Sequence, residues 1–355
     1  MRASIFASLM CLLLCSACAG IGARTVTADR FDYTTALSDS WKSQMLINVV
    51  KLRYGDAPVF LDVSSVIESY ELTQTASAGY TWQVKPENGS GATIGATGVY
   101  SNRPTISYSP MSGDKFAKSL MSPIPPAAVL GLIQSGYPAD FILRGLVQSI
   151  NGLTNRDGAG FPAHTASAKF LLLAERMRQI QASGAVGLRV EKEGRLAANI
   201  FVFSRNVDEQ TAAAAAEVRK MLGLDPEATE FSVAYGLVPA NNKEIALLTR
   251  SMLQVLQDYA SYIEVPELDV VQKRVGPTLR DASIDGAPAA LHVHIRSSPQ
   301  RPQDAFAAVP YRDHWFWIDD RDLLSKRTFS FLMFAFTLVE AGEARPAPML
   351  SLPVR

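Results

Sequence analysis

The distribution of cysteine is the feature that most constrains how this chain can fold. Its three cysteines, Cys11, Cys15 and Cys18, all lie within the first 18 of 355 residues. No disulfide can therefore cross-link the residues that follow, and the body of the protein must be held together by its apolar core. A chain of this length has room for one large domain or for two, each able to bury such a core.

The segment that contains the cysteines has the pattern of a secretory signal. Arg2 precedes an apolar run from Ile5 to Leu14, and small residues follow this run. The run is too short to span a bilayer as a helix, which needs about 20 residues. We therefore expect residues 1–17 to be a signal peptide that is removed on export.

The end of this segment, Ser16-Ala17-Cys18, resembles the lipobox of bacterial lipoproteins, although Cys15 stands where those proteins usually have Leu. The resemblance implies that Cys18 is lipidated, for example with palmitate, and that residues 18–34 form the anchor and a linker. No Asp follows Cys18, which in Gram-negative lipoproteins implies the outer membrane, on its periplasmic face. An ordinary secretory signal whose cysteines are incidental is the alternative.

The composition is that of a globular protein with balanced charge. Hydrophobic residues make up 48% and charged residues 19%, and 34 basic residues balance 34 acidic ones. The chain therefore lacks the basic excess that nucleic-acid binding requires. It also contains neither a Gly-x-Ser-x-Gly elbow nor a phosphate-binding glycine loop, so we predict no cofactor and no nucleophilic hydrolysis.

The spacing of apolar residues predicts an α+β fold. In the first predicted domain, 35–155, a helix over about 37–54 ends at Gly55 and precedes a β-meander that starts near Val59. The meander contains a glycine-rich loop over 87–98 and a strand over 105–108, and two helices follow at 127–134 and 139–150. The glycines and prolines of 151–162 indicate a domain boundary.

The second predicted region, 160–355, alternates helices and strands. We predict helices near 165–182, 208–222, 243–262 and 322–339, and strands near 186–190, 196–203, 231–237, 291–295, 314–318 and 349–354. The order helix, strand, strand, helix, strand thus occurs twice, at about 163–264 and 289–355, which indicates either a duplication or a coincidence. Modules of this order occur in ring-forming secretion lipoproteins, which is an analogy at the level of the fold.

Three segments resemble parts of uncharacterised predicted lipoproteins of Proteobacteria. They are Asn48–Val63, Trp315–Leu324 and Met349–Val354. The resemblance implies an envelope location, but it brings no activity and no catalytic residue.

Three histidines are candidate metal ligands. His292 and His294 alternate on one face of a predicted strand, and His314 lies near another strand. Together with Asp319 or Asp320 they could bind zinc or copper. The alternative is that the exposed face of a strand is simply polar, and we predict no metal site on this pattern alone.

The acidic run Asp319-Asp320-Arg321-Asp322 also allows two interpretations. Paired carboxylates could perform acid–base chemistry. The run lies between a predicted strand and a predicted helix, however, where carboxylates cap free amides and interact favourably with the helix dipole. We favour capping.

The densest aromatic cluster of the chain flanks this acidic run. Because the following helix is apolar on nearly all sides, we expect these aromatic residues to form core rather than a groove for a partner. The members of the cluster are Tyr311, Trp315, Phe316, Trp317, Phe329, Phe331, Phe334 and Phe336.

These observations together predict a non-enzymatic lipoprotein, which is a scaffold or an assembly component of the bacterial envelope. The expected contacts are the membrane, through the lipid on Cys18, and either an envelope protein or further copies of the chain. The alternative is a periplasmic enzyme, or a ligand-binding or metal-binding protein, that uses the region of His292, His294, Asp319 and Asp320.

Overall fold

The computed structural model describes residues 23–67, 70–81, 91–102, 105–157, 165–193, 196–204, 206–279 and 293–340. It confirms the α+β class, since helices and strands follow one another along the chain. The leader with Cys18, His292 and the predicted strand over 349–354 lie outside the described residues.

The helices are numbered in chain order. They are α1 (Ala23–Arg53), α2 (Gly113–Phe116, followed by a π-helical turn over Ala117–Met121), α3 (Pro126–Gln134), α4 (Ala139–Leu146), α5 (Ala168–Ala182), α6 (Glu209–Leu222), α7 (Met252–Ala260), α8 (Glu267–Val271) and α9 (Leu323–Glu340).

The strands are numbered in the same way. They are β1 (Leu61–Ile67), β2 (Tyr70–Thr81), β3 (Gly91–Asn102), β4 (Thr105–Pro110), β5 (Val147–Ile150), β6 (Leu153–Thr154), β7 (Val186–Glu193), β8 (Leu196–Phe203), β9 (Glu230–Tyr235), β10 (Glu244–Thr249), β11 (Arg296–Ser298), β12 (Ala305–Tyr311) and β13 (His314–Asp319).

Local signals in the sequence define the ends of several helices. Helix α1 begins earlier than predicted, but it ends just before Gly55, which has a φ of 77° and so supplies the expected left-handed stop. At α6 the Asp208 side chain accepts a hydrogen bond from the Thr211 amide, and Gly223 follows the last turn with a φ of 66°. The predicted helix over 208–222 is therefore confirmed together with both of its caps.

The largest sheet of the described chain has six strands in the order β6-β5-β10-β9-β8-β7. Its neighbours are antiparallel except for β9 and β10, which are parallel, and β7 with β8 forms the predicted hairpin. Strand β5 precedes the predicted boundary at 151–162, and it pairs with β10 from beyond that boundary. The sheet therefore includes residues from both predicted domains.

Helices α3 to α6 cover one face of this sheet and form the main core with it. Leu143 of α4, Leu173 of α5 and Val218 of α6 line the same small apolar cavity, of about 30 Å³, as Phe201 and Leu247 of the sheet. All five side chains are buried. Such close packing is what a body without disulfides requires.

Two helix predictions were wrong over part of their length. The predicted helix over 139–150 ends at Leu146, and its last four residues are β5, while the predicted helix over 243–262 begins with β10. Both segments lie within the six-stranded sheet and are largely buried. A short apolar run that is buried on both faces has no period-two alternation, so it resembles the continuation of a helix.

A second sheet has the order β11-β13-β12 and packs against α1 and α9. Its hairpin turns at Arg312 and Asp313, whose φ values of 46° and 64° are those of a two-residue type I′ loop. The predicted strand over 291–295 was wrong in its described part, because pairing with β13 starts at Arg296. The His294 amide donates instead to the Ser325 hydroxyl of α9 at 2.9 Å.

Strands β1 to β4 form two successive two-stranded antiparallel sheets, here together called the ribbon. Strand β1 pairs with β4 from Leu61 opposite Pro110 to Ile67 opposite Thr105, and β2 pairs with β3 from Tyr70 opposite Asn102 to Thr81 opposite Gly91. The predicted meander was therefore wrong, and so was the described part of the predicted loop over 87–98, because 91–98 belong to β3. Residues 87–90 lie outside the described residues. Glycine weakens a strand, but it does not prevent pairing where the glycines alternate with Thr, Ala and Ile.

Candidate functional site

A groove lies where the ribbon joins the body of the protein. Its volume is about 780 Å³, and α1, the ribbon strands β1 and β4, and the end of α9 line it. Its apolar lining includes Leu37, Trp41, Phe60, Met111 and Phe336. A concave, largely apolar surface of this size is a suitable binding site for a partner or a ligand.

Two amide side chains of α1 fix the start of the ribbon. Asn48 donates to the Val59 carbonyl and accepts from the Val59 amide, both at 2.8 Å. Gln44, one turn earlier, makes the same pair of bonds with the backbone of Leu61, at 3.1 and 2.7 Å. Because residues four apart lie on one helix face, the two amides act together as a substitute strand for the edge of β1.

Apolar side chains remain exposed around this junction. Val59 is 50% exposed, and Leu61, Ile106 and Tyr108 are 43%, 37% and 53% exposed. The register of β1 with β4 shifts by one residue between Val63, opposite Tyr108, and Ser65, opposite Ser107. Contiguous exposed apolar surface on a folded body is typical of an interaction site.

The predicted histidine and aspartate candidates lie at the second sheet. His294 is half-exposed, and its Nδ1 lies 3.2 Å from Asp322 Oδ2. The Ser325 hydroxyl donates to the same Asp322 oxygen at 2.7 Å. A serine nucleophile would need its hydroxyl bonded to the histidine, and here the aspartate stands between the two.

Asp322 is the N-cap of α9. It accepts a hydrogen bond from the Ser325 amide at 3.0 Å, which confirms the capping interpretation at this residue. Partial burial raises the pKa of Asp322, but the Ser325 bonds and the nearby His294 outweigh this effect and bring the pKa below its ordinary value. The carboxylate thus remains charged where the positive end of the helix dipole favours it.

The other two carboxylates of the acidic run have separate cationic partners. Asp319 lies 3.3 Å from Arg296 and accepts from the Arg321 amide, while Asp320 pairs with Lys326 at 2.6 Å. The two therefore do not share a proton or a substrate position.

The histidines also lie apart. His314 begins β13, whereas His294 precedes β11, whose first paired residue, Arg296, lies opposite Trp317. Within the described residues, no three His, Cys, Asp or Glu side chains form a group that could hold a metal ion. His292 lies outside those residues.

The predicted aromatic cluster contributes mainly to the core. Phe316 and Phe329 are fully buried, Phe331 and Phe336 nearly so, and Phe336 stacks on Phe60 at 4.8 Å between ring centroids. Phe334 is the exception, with 43% of its surface exposed. Phe336 also reaches the groove, so that the core and the groove share a wall.

A buried charge cluster that was not predicted from the sequence joins the six-stranded sheet to α7. Asp258 Oδ2 accepts from Arg156 Nη2 at 2.9 Å, from Arg156 Nε at 3.1 Å and from Arg250 Nη1 at 3.2 Å. All three residues are at most 6% exposed. Burial also raises the pKa of the adjacent Tyr259 to about 12, so this phenol stays neutral.

A second polar cluster joins α1 to the three-stranded sheet. Tyr54 donates to Asp269 at 2.8 Å, and burial together with this bond raises the pKa of Tyr54. Tyr311 donates to Asp56, and the Arg312 guanidinium lies 5.0 Å from the centre of the Tyr54 ring. Neither cluster has a signature in the sequence, because its members are up to 256 residues apart.

None of the helices in the described part of the chain is long and apolar enough to cross a membrane. Comparison with protein-family models, with curated proteins and with solved structures found no match to this chain.

Proposed function

We propose that this protein is a non-enzymatic lipoprotein of the bacterial outer membrane, anchored through Cys18 and facing the periplasm. In this proposal it acts as a scaffold or an assembly component. Its binding surface is the ribbon of β1 to β4 together with the groove at the base of this ribbon.

The observation that carries the proposal is a long ribbon with only two strands. In the described chain β1 and β4 pair only with each other, and so do β2 and β3. A two-stranded hairpin is only marginally stable in water, and its unpaired backbone groups favour the addition of a further strand. A ribbon of this kind is suited to assembly with a partner.

The polar groups of the body support a role without catalysis. The hydroxyl and carboxylate of Ser325 and Asp322 are used in a helix cap. Asp258 forms salt bridges with two buried arginines, and Asp269 accepts a hydrogen bond from Tyr54. These groups stabilise the fold, and none of them lines the groove at the base of the ribbon.

The anchor is tested by fractionation of cells that produce a Cys18→Ala variant. We expect the wild-type chain to be recovered with outer membranes at its mature size, and the variant to become soluble or to remain unprocessed. Mature-sized Cys18→Ala in the membrane fraction would contradict the anchor.

The assembly role is tested by crosslinking in intact cells, followed by purification through a C-terminal tag. We expect one stoichiometric species, which is either an envelope protein or the chain itself. Tyr108→Glu, at the exposed base of the ribbon, is expected to reduce this product, whereas Val271→Glu, on another exposed apolar side chain, in α8, serves as the control. Recovery of the protein only as an uncrosslinked single chain would contradict the proposal.

A further inference from the structure

The outer part of the ribbon, β2 with β3, has two faces of opposite character. Residues that are directly opposite each other in an antiparallel pair lie on the same face, and the faces alternate along each strand. One face, here called the apolar face, contains the pairs Tyr70–Asn102, Leu72–Tyr100, Gln74–Gly98, Ala76–Ala96, Ala78–Ile94 and Tyr80–Ala92.

The other face, here called the polar face, is made largely of small hydroxyl residues and glycine. Its pairs are Glu71–Ser101, Thr73–Val99, Thr75–Thr97, Ser77–Gly95, Gly79–Thr93 and Thr81–Gly91.

The charge content of β2 and β3 differs sharply from that of the whole chain. Charged residues make up 19% of the protein, yet these two strands contain only Glu71, which lies near one end of the polar face. The apolar face contains no charged residue, and Gln74 and Asn102 are its amide residues. Charged residues lie mostly at water-exposed surfaces, so a ribbon exposed to water along its length is expected to contain more of them.

The length of the apolar face matches the hydrocarbon layer of a bilayer. Tyr70 and Tyr80 are ten positions apart, which at about 3.3 Å per residue is about 33 Å along the strand. With the tilt of about 40° that membrane strands adopt, this length spans about 25 Å, the height of their apolar band. Tyr70 and Tyr100 lie near one end of this face and Tyr80 at the other, as in the aromatic girdles of such bands.

The unpaired edges of the ribbon must find hydrogen-bonding partners if the ribbon is to enter a bilayer. Open strand edges do not occur in hydrocarbon, because each unpaired amide or carbonyl there costs several kcal/mol. A single two-stranded ribbon therefore cannot cross a bilayer alone. Copies of the same chain offer identical edges, and pairing around a closed ring leaves no edge unpaired.

We propose that β2 and β3 insert into a phospholipid bilayer with the apolar face towards the lipid, and pair edge to edge with the ribbons of further copies of this chain. The polar face then lines a water-filled pore. This proposal rests on the proposed function, since it specifies the membrane and the chain itself as the partners of the ribbon.

The orientation of the faces is tested with single cysteines, because the chain has no cysteine after Cys18. Ala76→Cys and Ala78→Cys on the apolar face are compared with Thr75→Cys and Ser77→Cys on the polar face. Each full-length variant is labelled with a polarity-sensitive fluorophore, and the unsubstituted chain, labelled in parallel, gives the background. The proteins are then added to vesicles of phosphatidylethanolamine and phosphatidylglycerol.

Labels on the apolar face are expected to lose most of their emission to a quencher attached to the lipid tails. Labels on the polar face are expected to be quenched by aqueous iodide instead. Equal quenching of neighbouring positions by iodide, without a period of two, would overturn the proposal.

The pore is tested by the release of a trapped dye from the same vesicles. Arginine at the middle of the lipid-facing surface is strongly disfavoured, so Ala78→Arg is expected to reduce the rate of release about 30-fold or more. Ser77→Arg, one residue away on the polar face, is expected to retain release. Equal loss in both variants, or no release by the wild-type chain, would refute the pore.

Both variants are expected to keep the thermal unfolding of the wild-type body, which separates loss of insertion from loss of folding. The vesicle assays use purified protein, so their failure leaves the cell-based tests of the anchor and of the crosslinked partner unaffected. A chain that fractionates with membranes and captures an envelope protein, but shows no alternation in vesicles, would retain the proposed function and lose this inference.

Discussion

Asp258 is the residue whose change should affect the body of the protein most. One of its carboxylate oxygens, Oδ2, lies 2.9 Å from Arg156 Nη2 and 3.2 Å from Arg250 Nη1. Both arginine side chains are at most 7% exposed. The substitution Asp258→Asn keeps the shape of the side chain but removes its charge. Two buried guanidinium groups then lose their counter-charge.

Removing one partner of a buried ion pair costs about 3–5 kcal/mol, because the remaining charge stays uncompensated. Here one carboxylate balances two cations, so we expect the loss to lie towards the upper end of this range. It would be a large fraction of the about 5–15 kcal/mol that holds a typical domain folded.

The assay is urea-induced unfolding followed by tryptophan fluorescence, for which the chain has four tryptophans. The matched control is Asp320→Asn, which removes an exposed pair with Lys326 and should cost about 0–1 kcal/mol. A loss below about 1 kcal/mol for Asp258→Asn would refute the reasoning.

The remaining predictions concern α1 and α9. Asn48→Ala removes both side-chain hydrogen bonds to Val59, so hydrogen exchange of the Val59 amide should accelerate. Unchanged exchange would show that these two bonds do not fix the start of the ribbon. Phe329→Ala should lower the free energy of unfolding by about 3–5 kcal/mol, whereas Phe334→Ala, on the exposed side of the same helix, should change it little; similar losses would contradict the assigned packing. Because the pKa of Asp322 is lowered in the folded state, its stabilising effect is present above the ordinary value of 3.8 and is lost as the pH falls through the lower folded value. Asp322→Ala should therefore cost about 1 kcal/mol at neutral pH and less under strongly acidic conditions, and a loss independent of pH would argue against this assignment.

Local chemistry made parts of the fold predictable. Helix α6 follows from Asp208, the apolar period and Gly223, and the β7–β8 hairpin follows from its alternation. These features depend on neighbours in sequence, so a single sequence contains them.

Features that depend on distant neighbours were predicted wrongly or not at all. Val147–Ile150 and Glu244–Thr249 are strands because each supplies a neighbour for the other, and without that neighbour they resemble helix. Strand β12 was not predicted. It contains Pro310, which is unfavourable in a central strand but is tolerated here because β12 is an edge strand. The buried arginines could not be recognised, because their shared partner is 102 residues from Arg156.

Some features of the candidate site could likewise be predicted from local sequence, and others could not. The caps at α9 could be predicted from an acidic run before a helix, and Asp322 confirms this prediction. The ribbon could not be predicted from the sequence, because the glycines of 91–98 indicate a loop when they are considered alone. Only the register with β2 shows that these glycines alternate with Ala and Thr on two different faces.

The assembly of this chain through its ribbons is tested most directly by the mass of the mature protein, extracted from membranes in mild detergent and measured by mass photometry. The smallest closed membrane sheets have about eight strands and each copy supplies two, so we expect one discrete species of at least about four copies. The variant Ala78→Arg should shift this species towards single copies. A wild-type protein that remains a single copy at every concentration would contradict the account.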